Sequence, residues 1–385
     1  MSGLPQVGER VGRVGGAFVL GADGVFGLRD IDIDAGLVAA PGTQPDGARV
    51  AADGLWATPG FVDAHTHLAW SDFDAHGFDP EGAARNARAT LAAGITTARD
   101  AGGYGPELLP LLAGAPGPRL RLSFDILGPS DALGAWHLRA RVAALAEAGA
   151  DWIKVAGTGG VGAGTAQQEP VFDHAGFAAI LDEAERAGLP VMVHAWGGPV
   201  IDWAIDLGAR SIEHAVLLTA AQAERAAGAG TFVVPTVWIY TDVLRLATQG
   251  ALPAALAPAA RRAVEAHPEA LRRCLDAGVR LAMGTDAGLP SQHGRNLHEV
   301  AAMIDAGVPT DLALVAATAN GVRLLTPDAE PPLVPGTPAD LVLFDRNPAT
   351  TEALRDPAAV VAVVQGGRVV HRREPARAAT SPAGV

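Results

Sequence analysis

Between residues 59 and 331 the chain repeats one pattern: an apolar run of strand length, an Ala- and Leu-rich amphipathic stretch, then another run. Strands that alternate with helices cannot pair as hairpins. Each helix must carry the chain back across the sheet, so the strands come out parallel. Eight runs count as strands: FVDAHTH (61–67), TTARDAG (96–102), LRLSFDIL (120–127), WIKVAG (152–157), VMVHAW (191–196), SIEHAV (211–216), TFVVPTV (231–237) and RLAMGTDAG (280–288). Helical stretches separate them, among them 137–149, 173–188, 219–228, 258–277 and 310–325.

Eight βα units in about 270 residues match the usual size of a (β/α)8 TIM barrel, whose chemistry gathers at the C-terminal ends of its strands. The polar residues of these runs fall at those ends. The flanks differ. Residues from about 10 to 58 are short apolar runs broken by Gly, Pro and Asp, and LVLF (341–344) with VVAVVQGGRVV (360–370) gives a strand and a Gly-Gly hairpin. The expected organisation is a catalytic barrel over 59–331 and a small composite β-sandwich built from 1–58 and 332–385.

A formal net charge of −13 argues against nucleic-acid and anionic-membrane partners, since phosphate binding needs a concentrated basic surface. A small-molecule substrate is the expected partner, and a homo-oligomer the expected state. The opening residues lack the apolar core of a signal peptide and no later run approaches a membrane span, so a soluble cytoplasmic protein is expected. The single cysteine, Cys274, sits in a helical stretch and reads as a small buried apolar residue.

The 29 basic residues comprise 28 arginines and one lysine, Lys154, which lies in the fourth strand. A strand lysine in a buried barrel must lose its proton or find a partner. A buried lysine–carboxylate pair is one solution, but a chain so rich in Arg had a better cation at hand. What lysine alone offers is a neutral amine, which can add carbon dioxide and become a carbamate able to bridge two cations.

Other strands supply matching ligands. His65 and His67 are two apart on one strand, so their side chains face the same way and can grip one cation. A lone HxH pair is also compatible with two histidines on a polar sheet face. His194 and His214 each sit near a strand end, where a satisfied structural histidine is the ordinary alternative. Asp286 ends the last run between Gly284 and Gly288, with a loop or helix-capping Asp as its ordinary alternative.

At this point the chain resembles the amidohydrolase superfamily, and within it the imidazolonepropionase-like branch that contains prolidase-like dipeptidases with two metals. The likeness covers nearly the whole length and is carried, in family order, by PGFVDAHTHL, ATLAAGITTARDAGG, GADWIKVAGTGGV, PVMVHAWG, SIEHAV, PTVWIY, MGTDAG, HGRNLHEV, AATAN and PGTPADLVLFDRNP. The resemblance implies one metal on His65, His67 and Asp286, a second on His194 and His214, and carboxylated Lys154 between them. Zinc is the default metal for imidazole and carboxylate ligands. It further implies hydrolysis at a carbonyl carbon by a water ionised between the cations, with Asp286 as ligand and proton shuttle to the departing nitrogen. Tyr240 corresponds to a family tyrosine that contacts the substrate carbonyl or carboxylate. His293 is a further catalytic candidate, and Arg295 is a candidate partner for an acidic substrate group.

Two departures from the prolidase-like pattern bear on substrate. The Gly-Gly-His signature expected after strand three is replaced by DILGPSDALGAWHL (125–138), where His137 is positioned to begin a helix, and the stretch from His67 to the next helix is short. Three other readings stay open: a mononuclear cyclic amidohydrolase or deaminase holding one cation on His65, His67, His194 and Asp286; a lactone or ester hydrolase; and a non-catalytic scaffold, which should have lost ligands.

Overall fold

The computed structural model describes residues 4–43, 46–71, 79–162 and 166–373. Both flanks contribute to one hydrogen-bonded network of eight strands. The strands are β1 (Val11–Leu20), β2 (Phe26–Asp34), β3 (Leu37–Val38), β4 (Ala48–Ala51) and β5 (Trp56–Pro59) from the first flank; the last three, numbered below in chain order, lie at 341–372. The network branches at β1. A bulge between Val14 and Ala17, where Gly16 takes a left-handed φ of 78°, moves the pairing of β1 from β4 to β5. Hydrogen bonding thus joins the two flanks into one branched network, with its own core of Val14, Val19, Ile33, Leu341, Leu343 and Val361.

The barrel strands follow: β6 (Phe61–Thr66), β7 (Ile95–Asp100), β8 (Arg119–Leu122), β9 (Ile126–Leu127), β10 (Ile153–Ala156), β11 (Val191–Ala195), β12 (Ser211–His214) and β13 (Phe232–Val234), then β14 (Leu341–Phe344), β15 (Val360–Gln365) and β16 (Arg368–Arg372). The pairs β6–β7–β8 and β9–β10–β11–β12–β13 are parallel throughout. Every residue of β6, β12 and β13 is buried, as strands covered on both faces require. The last strands close onto the first flank: β14 runs antiparallel to β5, and β15–β16 is the Gly-Gly hairpin, with Gly366 and Gly367 at φ 55° and 71°.

Two of the eight expected barrel strands are irregular. The third breaks at Phe124, whose φ is 61°, so that β8 pairs with β7 while β9 pairs with β10. The backbone N–H groups of Asp151 and Trp152 bridge the break by donating to the Leu122 carbonyl at 2.8 and 3.3 Å. The eighth, 280–288, forms no regular strand. It is nonetheless tied on both sides: Ala282 N donates to Val233 O at 3.0 Å, Ala64 N to Met283 O at 2.8 Å, and Asp286 N to His65 O at 2.7 Å. The architecture is the (β/α)8 barrel, with its last stave bent so that Asp286, at φ 53°, turns its side chain toward His65 and His67.

The outer helices include Ala135–Glu147, which His137 enters in its first turn, His174–Arg186, Ala220–Ala229 and Ala257–Ala277, which buries Cys274. Thr219 and Gln222 form a capping box at the start of the third of these, and left-handed Gly230 ends it. The stretch 310–325 is two helices, Thr310–Ala316 and Ala319–Leu325, because Thr318 leaves helical angles between them. Among the described residues no helix is long and apolar enough to cross a membrane. The short connection expected after His67 falls largely on 72–78, outside the described residues.

Gly284 marks where the last stave presses closest. A Cβ there would sit 2.4 Å from Val234 Cγ1 and 2.7 Å from His65 Cβ. Gly284→Ala is expected to cost about 1–3 kcal/mol, the usual penalty of overpacking, by displacing Val234 and His65. Urea unfolding of the purified variant checks the loss.

Candidate metal centre

At the C-terminal mouth of the barrel a cavity of about 570 Å³ is lined by His65, His67, Lys154, His194, His214, Asp286 and Tyr240, together with Trp70, Gly159 and apolar side chains. A cavity of similar size at the opposite end, bordered by Gly60, Thr96, Arg119 and Asp340, holds none of the candidate residues. His65, His67 and Asp286 each offer one ligand atom, and the three atoms lie within 4.8 Å of one another. Asp286 Oδ1 is 3.3 Å from His65 Nε2 and 3.2 Å from His67 Nε2.

Hydrogen bonds on the far side of each ring set which nitrogen faces the cavity. His67 Nδ1 donates to the Gly102 carbonyl at 2.8 Å, and the ring stacks on Trp70 with centroids 3.6 Å apart. His65 Nδ1 lies 2.7 Å from Glu213 Oε2. Both Nε2 lone pairs are thereby left for a cation, the arrangement that fixes metal-binding imidazoles elsewhere. On the other wall His194 Nε2 donates to the Gly159 carbonyl at 3.2 Å, and His214 Nδ1 pairs with Thr236 Oγ1 at 2.7 Å. The two rings are 4.4 Å apart, and the His214 ring is 5.2 Å from that of His65. His214, Ala215 and Thr236 all have φ between 50° and 72°, conformations that L residues hold only when their surroundings impose them.

Lys154 completes the cup. It is buried, its Nζ lies 3.2 Å from His65 Nε2, and among the described residues no carboxylate lies within ion-pair distance of it. Burial lowers its amine to about 8, against the more distant pull of Glu213 and Asp286. Burial likewise lowers His194 to about 4 and holds His214 well below its ordinary value. Burial pushes Asp286 upward, but His65, His67 and His214 outweigh it and keep the carboxyl well below the usual range.

Sequence reasoning missed the charge pair behind this cup. Glu213 on β12 and Arg99 on β7 are fully buried; Arg99 Nη2 contacts both Glu213 oxygens at 2.9 and 3.0 Å. Arg99 Nε donates to the Ala64 carbonyl at 2.5 Å, Nη1 to Ser211 Oγ at 3.0 Å, and the guanidinium lies 4.4 Å over the Trp152 ring. Burial pushes Glu213 up, but Arg99 and His65 together hold it down at about 2, so a full charge faces His65 Nδ1. Asp63, also unremarked in the sequence, accepts from Thr285 N at 3.0 Å, Thr285 Oγ1 at 2.7 Å and Asn296 Nδ2 at 2.8 Å, pinning the HxH strand to the last stave.

Tyr240 is buried in the cavity wall, and burial beside Asp286 raises its phenol well above the ordinary value. His293 is buried against Thr90, with Nδ1 3.3 Å from Thr90 Oγ1, and does not line the cavity. Arg295 lines a separate surface groove with Trp238, Arg245, His298 and Asp305, not the cavity. His137, 3.8 Å from Asp131, also lies away from the cavity.

Comparison with known proteins shows the family. The model of the amidohydrolase family matches residues 56–370. The chain belongs to the amidohydrolase family. It is thus a hydrolase of carbon–nitrogen bonds. An imidazolonepropionase of Salinispora arenicola is 30% identical over 399 residues, covering 89% of this chain and 91% of that protein. A crystal structure of a prolidase complexed with N-methylphosphonate-L-proline superposes with a TM-score of 0.86 at 25% identity, covering 94% of this amidohydrolase and 99% of that chain. The A. niger ochratoxinase structure shares the fold, with a TM-score of 0.81 at 23% identity over 96% of this chain and 97% of its own.

Two outcomes are expected of the chelated, metal-free protein. Arg99→Met leaves Glu213 as an unpaired buried charge and should cost about 3–5 kcal/mol in urea unfolding, with much of the loss recovered in Arg99→Met/Glu213→Gln. His194 and His267, at about 4, and His293, at about 3, stay neutral in the fold while the unfolded chain protonates near 6.5. The unfolded state then takes up more protons, so stability should fall as pH drops from 6.5 toward 4. Removing His267, which like His293 is not a candidate ligand, with His267→Gln should flatten that slope.

Proposed function

We propose that the chain is a binuclear metal-dependent hydrolase that cleaves an amide bond, with one divalent cation on His65, His67 and Asp286, a second on His194 and His214, and carboxylated Lys154 between them. The observation that carries this reading is the buried Lys154 amine beside His65 with no carboxylate partner among the described residues. A permanent cation was available to this barrel core: Arg99 occupies it and is paired to Glu213. Lysine stands where a guanidinium would serve a simple ion pair better, and its depressed basicity supplies the neutral amine that carbamate formation needs. In that step the amine nitrogen bonds to the carbon of CO2 and the displaced N–H proton leaves to solvent.

The donor set fits divalent cations with imidazole and carboxylate preference, zinc first. When bound, they would lower the pKa of a water and polarise the scissile carbonyl. The remaining work falls to side chains. Asp286, at the cavity surface between two imidazoles, accepts the proton of the attacking water and delivers it to the departing nitrogen. Glu213 holds His65 in one tautomer and orientation. Tyr240 keeps its proton at working pH and offers a donor to the developing oxyanion. The names of the similar proteins, an imidazolonepropionase and a prolidase, support hydrolysis at a carbon–nitrogen bond and span both ring and open-chain amides.

Lys154→Arg is expected to fold, to retain one cation in place of two, and to lose hydrolysis of whichever amide the metal-replete enzyme cleaves. Retained turnover in that variant contradicts the bridging role. Asp286→Asn should lower kcat by about 10²–10⁴-fold, the usual worth of a positioned proton carrier, and its metal content separates lost ligation from lost proton transfer.

A further inference from the structure

Resting on the hydrolytic reading above, we infer that the cavity is built for an electrically neutral amide carrying an apolar or aromatic arm and selects against substrates that bear a carboxylate. Beyond the candidate ligands and Tyr240, its walls are Trp70, Ile126, Pro129, Val161, Val171 and Ile239, with small residues between them. Among the described lining residues the single Lys or Arg is Lys154, which the proposed centre already uses.

Residues 72–78 (DFDAHGF) and 163–165 (AGT), outside the described residues, contain no Lys or Arg. The nearby arginines are committed elsewhere. Arg99 is sealed beneath Glu213, and Arg295, the sequence candidate for an acidic group, lies in a different groove.

A substrate carboxylate remote from the proposed cations gives up its hydration in such a space without a Lys or Arg among the described lining residues to replace it, whereas an apolar arm gains from leaving water. The chain's net charge of −13 adds a long-range field that disfavours anions. Dipeptides and N-acyl amino acids both carry that carboxylate. Anilides, ureas, neutral cyclic amides and N-acyl amino acid amides do not.

The test uses metal-replete enzyme and matched pairs that differ in one charge: acetanilide against 4-acetamidobenzoate, 5-alkylhydantoin against 5-carboxyethylhydantoin, and N-acylphenylalanine amide against N-acylphenylalanine, with Leu-Pro as a dipeptide reference. Within each cleaved pair the neutral member should have at least about a tenfold higher kcat/KM, mostly through KM. An equal or higher value for the charged member, or cleavage confined to Leu-Pro and N-acylphenylalanine, overturns the inference and leaves the hydrolytic reading intact. If nothing is cleaved the hydrolytic reading fails, and calorimetric binding of the same pairs decides the cavity's preference: tighter binding of the charged members overturns it, tighter binding of the neutral ones supports it.

Discussion

The architecture depends on how a barrel interior accommodates charge. Full burial makes every ionised group costly unless it is paired and hydrogen-bonded. Arg99 and Glu213 meet that condition completely: the guanidinium reaches Ala64, Ser211 and Glu213, and the carboxylate is left facing His65 Nδ1. Lys154 does not meet it with protein partners alone, since its amine touches an imidazole and no carboxylate among the described residues. A chain that solves the problem so fully at one buried cation and leaves it open at another has a use for the second. In the proposed centre that use is a bridging carbamate.

Backbone geometry delivers the ligands. His65 and His67 need only the period of a strand, because alternate residues share a face. His214 and Asp286 need more. Both take left-handed φ at the ends of their staves, where the chain leaves the sheet and the side chain is swung toward the axis. Asp63 ties the first stave to the last through Thr285 and Asn296, so that Asp286 Oδ1 meets both imidazoles of the neighbouring strand. The irregular eighth stave is the same fact seen from the fold: a straight strand through 280–288 would carry regular pairing at the cost of that turn.

Much of this was legible in the sequence. The βα rhythm gave the barrel, and the histidines, Lys154 and Asp286 stand together in space as their positions at strand ends implied. Breaks within staves were not legible, because apolar runs such as LRLSFDIL carry no mark of the left-handed Phe124. The Arg99–Glu213 pair had a signal that went unread: an Arg inside TTARDAG and a Glu inside SIEHAV are opposite charges within two otherwise buried strands, and each requires the other. His293 and Arg295 show the reverse error. Both lie close in sequence to Asp286, yet Arg295 faces another groove and His293 packs against Thr90. Proximity along a loop does not fix the direction of a side chain.

The most direct measurement is anomalous diffraction at the zinc edge from crystals of protein reconstituted with zinc and bicarbonate. The account predicts two peaks about 3.5–4 Å apart, the spacing of paired catalytic cations. One should lie among His65, His67 and Asp286 and the other beside His194 and His214, with planar density beyond Lys154 Nζ joining them. A single peak with an unmodified Lys154 would contradict it.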